Sequence, residues 1–119
     1  MAAPVSSVAC AALGVGLLFA LWGSGGGPGG AEAADPAAGK QKAKMCQTCH
    51  GIDGLARIPT APHIAGESRV YLVTQLKAFR SGARTHEIMS LIAQQLGDED
   101  IENLAAWYSS IEIEVRMPE

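Results

Sequence analysis

From residue 69 to residue 81 the apolar positions repeat with a helical period. Leu72, Leu76 and Phe79 stand at i, i+4 and i+7, with Val73 alongside, while Arg69, Lys77 and Arg80 fall between them. The pattern predicts one amphipathic helix, closed by Gly82 as a C-cap. A second stripe, Ile101, Leu104, Ala105, Tyr108 and Ile111, predicts a final helix from about Asp98 to Ile111. Gly97 is its N-cap candidate, and Asp98, Glu99 and Asp100 suit the positive end of the helix dipole. A first helix is expected to open at Asp35-Pro36, an N-cap followed by a favoured first helical residue, and to run to about Cys46. Gly39 lies inside that helix and costs propensity, so close approach by another helix is the expected reason, with Trp107 or Tyr108 as partner. No stretch alternates in the manner of a strand, and the expected class is all-α.

Two stretches break the helical pattern. Residues 51–66 hold Gly51, Gly54, Pro59, Pro62 and Gly66 and read as a pinned loop. Val8 to Trp22 is apolar and uncharged. At fifteen residues it is short for a membrane span and suits the apolar part of a signal peptide. A Gly-rich segment follows, and Ala31-Glu32-Ala33 fits a cleavage site, placing the mature start near Ala34. No Lys or Arg precedes the apolar run, so an uncleaved anchor over residues 8–22, followed by a flexible linker, is the alternative. Residues 1–33 are thus expected to be leader or anchor, and residues 34–119 the single folded domain.

Composition changes the picture in one respect. The apolar content of 48% is concentrated at the N-terminus, and only 5% of residues are aromatic. A domain of this size buries a limited core of its own, so a large apolar cofactor would supply useful surface. The net charge of -3 hides a division. Residues 34–84 carry +5 and residues 85–119 carry -7. That division describes either solvated helix faces or a dipolar molecule that orients toward a charged partner.

The chemistry centres on Cys46-Gln47-Thr48-Cys49-His50-Gly51. C-x-x-C-H is the attachment pattern of a c-type haem. Two thiols three residues apart share one side of a helix and can both add to the vinyl groups of one porphyrin, while the adjacent imidazole serves the iron. A zinc site would need a second ligand pair, which Cys10, His63 and His86 do not form by spacing. A redox dithiol would need a βαβ setting. A disulfide between Cys46 and Cys49 would leave His50 without a role. A histidine ligand normally donates its other ring N–H to an acceptor, and a carbonyl between Ile58 and Pro62 is the candidate.

By position, Met89 is either a second axial ligand or core filler beside Ile88, Leu91 and Ile92. His63 stands too near the motif to cross the ring, and His86 is the rival to Met89.

Four segments together resemble the class I c-type cytochromes, most closely the bacterial cytochrome c-553 and cytochrome c4-like group. They are C-Q-T-C-H-G (46–51), P-H-I-A-G-E (62–67), Y-L-V-T-Q-L-K-A-F-R-S-G-A-R (71–84) and M-S-L-I-A-Q-Q-L-G-D-E-D-I-E-N-L-A-A-W-Y-S-S-I (89–111). The resemblance implies a small helical domain around one covalent haem c, with the first and last helices crossed. It implies Cys46 and Cys49 as attachment points, and His50 and Met89 as the metal ligands. It further implies one-electron transfer between redox protein partners, with no catalysis of its own and no nucleic-acid partner. Haem c is attached outside the bacterial cytoplasm, so a periplasmic location is expected, with membrane contact only through residues 8–22 if they are kept. A cytochrome subunit of a dehydrogenase or oxidase complex, and an open-iron ligand binder or peroxidase, are the alternatives. Gly97 and Glu67 depart from the group's more usual Ser and Gln. The single C-x-x-C-H excludes a dihaem chain.

Overall fold

The computed structural model describes residues 33–119; the expected leader or anchor lies outside the described residues. Five α-helices follow in order: α1 (Pro36–Lys42), α2 (Gln47–His50), α3 (Arg69–Ser81), α4 (Met89–Ala93) and α5 (Asp98–Ser109). The described residues contain no strand, as the periodicity requires.

Asp35 caps α1 as expected, its carboxylate accepting the Ala37 N–H at 2.8 Å. The first helix does not run unbroken to Cys46. It tightens at Ala43–Met45 into a 3-10 turn, and the Cys46 N–H reaches back only to the Ala43 carbonyl, at 2.9 Å. Tight last turns of this kind are common at helix ends. The chain restarts as α2, where the Cys46 carbonyl accepts from both Cys49 (3.2 Å) and His50 (2.9 Å). The C-x-x-C-H motif therefore sits on a short helix of its own.

α3 has the expected bounds. Ser68 starts it by accepting the Tyr71 N–H at 3.4 Å, and Gly82, at φ +82°, ends it in the left-handed region that other residues enter only at a cost. α5 begins at Gly97, whose N–H donates to the Asp100 carboxylate at 3.0 Å, and ends two residues short of Ile111.

α5 is the centre of the core. Its Ile101, Leu104, Ala105 and Tyr108 are buried together with Ala43, Leu72 and Leu96. α1 packs on it at Gly39, where a Cβ would come within 2.6 Å of the Asn103 carbonyl carbon and 2.9 Å of the Trp107 Cβ. The glycine thus permits the expected close approach, and Trp107 is the partner. Tyr108 points elsewhere, toward the loop after His50. Asn103, buried, binds the same contact from the other side by accepting the Asp35 N–H at 2.7 Å.

The charge division along the sequence is not a division in space. Lys42 reaches Asp100 at 3.0 Å, Arg69 and Lys77 reach Glu102 at 3.0 and 3.6 Å, and Arg80 pairs with Asp98. Half of the basic residues of the first part therefore meet acidic residues of α5. The reading as solvated helix faces is favoured over that of an orienting dipole, and each such exposed pair contributes little. Arg80 does more than pair: it also donates to the Leu96 carbonyl at 3.0 Å, tying α3 to the turn between α4 and α5.

Candidate functional site

The site is a cavity of about 330 Å³. Cys46, Cys49 and His50 line it from α2, Leu72, Leu76 and Phe79 from α3, and Leu104, Ala105 and Tyr108 from α5. Pro62 and Ile64 enter from the loop, and His86, Ile88 and Met89 from the approach to α4. All four residues expected at the site thus share one cavity, although some forty residues separate Met89 from the motif. His63 is not among the lining residues; its Nδ1 is used in the loop, accepting the Ala56 N–H at 2.8 Å.

His50 is buried, and its Nδ1 lies 3.0 Å from the Pro62 carbonyl. A carbonyl only accepts, so Nδ1 carries the proton and Nε2 keeps its lone pair for a metal. The acceptor lies at the end of the segment expected to supply it. The loop that brings Pro62 there is held at several points. Trp107 Nε1 donates to the Ile52 carbonyl and the Tyr108 hydroxyl to the Gly51 carbonyl, both at 3.0 Å. The Arg57 N–H donates to the Cys49 carbonyl at 2.7 Å, and the Ile64 N–H to the Gly54 carbonyl at 2.8 Å. These two aromatic anchors were not legible as such, since an apolar stripe does not tell which ring bonds to which loop carbonyl.

Burial pushes the Cys46 thiol up to about 11, against the opposing pull of the Tyr108 hydroxyl bond. Burial and the neighbouring Cys46 likewise raise Tyr108. A thiol that resists ionisation is poorly suited to dithiol exchange, which needs a thiolate. Cys46 and Cys49 are not joined to each other by a disulfide. Among the described residues no three His, Cys, Asp or Glu side chains come together as a metal cluster, so the motif gains no second ligand pair of the zinc type.

The wall is mostly aliphatic and aromatic, and among the described residues Arg84 is the only Lys or Arg in it, lying over the Phe79 ring at 4.4 Å. Lys77 and Arg80 are turned to α5 instead. An apolar wall, two thiols on one turn, a buried imidazole with its tautomer fixed and a thioether sharing the cavity fit a covalently attached haem with nitrogen and sulfur ligands.

Comparison with known proteins gives the family. A sequence model described as cytochrome c matches residues 36–112. The chain is 45% identical over 83 residues to cytochrome c-554(548) of Halomonas halodenitrificans, covering 67% of this chain and all of that protein. It is 38% identical over 85 residues to cytochrome c4 of Pseudomonas aeruginosa, covering 71% of this chain and 42% of that one. The solved structure of reduced recombinant cytochrome c4 from Pseudomonas stutzeri superposes with a TM-score of 0.63 at 34% identity, over 67% of this chain and 47% of the other. The chain therefore spans the whole of its relative c-554(548) and less than half of these two c4 chains.

Proposed function

The chain belongs to the cytochrome c family, and on that premise we propose that it is a single-electron carrier of the bacterial periplasm in which His50 and Met89 would hold the iron of its one haem c. The observation that carries this reading is the convergence of Cys46, Cys49, His50 and Met89 on a single apolar cavity. When bound, haem c would supply reversible one-electron chemistry at iron, with a potential raised by a methionine ligand beside the histidine.

The chain's own residues then do three things. Cys46 and Cys49 tether the group at two points. His50, locked by the Pro62 carbonyl, presents one ring nitrogen in a fixed orientation. The aliphatic wall keeps water away and so disfavours the more highly charged oxidised state. With His50 and Met89 holding the iron, no site would be left there for a substrate, so the chain would pass electrons to and from redox protein partners and transform nothing itself. The mouth of the cavity, where Tyr71 and Ile88 are half exposed, is the natural place for that exchange.

Met89→Ala tests the ligand assignment. The oxidised protein is expected to lose its near-infrared sulfur-to-iron band while keeping its covalent haem; an unchanged spectrum overturns the assignment. Residues 1–33 are read as a leader removed on export. Mass spectrometry of the native protein is expected to find one haem on a chain that starts near Ala34, whereas a retained N-terminus would replace the soluble carrier with an anchored or complex-bound one.

A further inference from the structure

His86 is bonded in a way that neither ligation nor simple core filling explains. Its Nδ1 lies 3.2 Å from the Ile88 backbone nitrogen and 3.3 Å from that of Met89. Backbone N–H groups only donate, so Nδ1 is the acceptor of both. The bonding is reciprocal. The His86 N–H donates to Ser90 Oγ at 3.0 Å, and the Ser90 N–H donates to the His86 carbonyl at 3.0 Å. This is the logic of an N-cap: a side-chain acceptor serves the second and third N–H groups of a turn, and its own carbonyl takes the first helical bond. Here an imidazole stands where a short oxygen-bearing side chain is usual.

The turn needs that help. α4 has five residues, too few to sustain its own first turn, and Ile88 offers no capping side chain. The His86 ring is itself held from outside. It meets Phe79 of α3 edge-on, with centroids 6.5 Å apart and planes at 75°. Phe79 is buried and lies beneath the Arg84 guanidinium. A chain of contacts therefore runs from the rigid helix α3 through the imidazole to the backbone of Met89.

We propose that His86 is a positioning residue: its imidazole fixes the turn that presents Met89, and so sets how readily the methionine sulfur is displaced from the iron. The proposal rests on Met89 being the sixth ligand. It adds a role that ligand identity alone does not give, and it assigns His86 to the support of the ligand rather than to rivalry with it.

The test is displacement of the sulfur by imidazole in the oxidised holo-protein, followed by loss of the near-infrared band. His86→Ala removes the acceptor for two N–H groups, and imidazole is expected to bind about fivefold more tightly, the scale of a lost cap. His86→Asn places Oδ1 at the same number of bonds from the backbone as Nδ1 and is expected to stay within about twofold of the native affinity. An unchanged affinity in His86→Ala, or a His86→Asn variant as loose as the alanine, overturns the proposal. If His86→Ala yields no folded holo-protein, Ser90→Ala removes the reciprocal acceptor and should tighten imidazole binding about twofold or more; no tightening overturns the proposal equally. Met89→Ala is measured alongside. If it keeps the band, the ligand assignment itself has failed; if it loses the band while the His86 variants bind imidazole as the native protein does, only the positioning role has failed.

Discussion

Gly39→Ala is expected to destabilise the holo-protein by about 3 kcal/mol, toward the upper end of what an added methyl costs in a tight contact. For a domain of this size that corresponds to a fall in Tm of roughly 12–24 °C. The sign is not obvious from propensity, because alanine is the better helix former by about 1 kcal/mol. Packing decides it. The new Cβ would stand 2.6 Å from the Asn103 carbonyl carbon, closer still to the carbonyl oxygen, and 2.9 Å from the Trp107 Cβ. The first two are backbone atoms of α5 and cannot rotate aside. The helices must part, and parting them also stretches the Asp35 N–H bond to Asn103 and the seat of Trp107, whose indole holds the Ile52 carbonyl. Thermal and urea unfolding with haem content held equal would measure the loss; a midpoint equal to native would mean that α1 and α5 tolerate separation at this contact.

The parts of this architecture that were legible in the sequence are those decided within one or two turns of chain. Leu72, Leu76 and Phe79 set the face of α3, and Gly82 closes it because the left-handed cap is a local demand. Asp35-Pro36 starts α1 for an equally local reason, and Cys46, Cys49 and His50 sit close enough together to carry their chemistry in their spacing. What was not legible depends on segments far apart. The 3-10 turn at Ala43–Met45 replaces continued helix where Ala43 is fully buried in the core. The basic residues of the first half look like a field of their own until α5 brings Asp98, Asp100 and Glu102 against them. Asn103 reads as a polar gap beside an apolar stripe, yet it is buried and receives the Asp35 N–H. His86 is the extreme case. By composition it is a rival ligand, and only the placement of its Nδ1 beside two backbone nitrogens reveals a cap.

Ile101→Ala and Leu104→Ala separate what the core does for stability from what it does for the redox site. Both side chains are all but fully buried on α5. Each truncation is expected to cost about 3 kcal/mol, the sum of lost transfer energy and the cavity left behind. Their positions differ in one decisive way. Leu104 lines the haem cavity and Ile101 does not. Removing Leu104 therefore thins the apolar shell on a wall that also carries the Tyr108 hydroxyl and the Gln75 amide, polar groups able to hold an entering water. More solvent near the iron favours the more highly charged oxidised state. Leu104→Ala is expected to lower the reduction potential by about 30–60 mV, within the range that a tenfold change in a one-electron equilibrium represents. Ile101→Ala, equally destabilised, should leave the potential within about 10 mV of native, since Ile101, one turn before Leu104 on the same face of α5, does not line the cavity. Equilibrium redox titration of the two variants beside urea unfolding makes the comparison. Equal shifts in potential would mean that the cavity wall does not act separately from the core behind it. A shift in Leu104→Ala alone would make this face of α5 the element through which packing tunes the electron-transfer site.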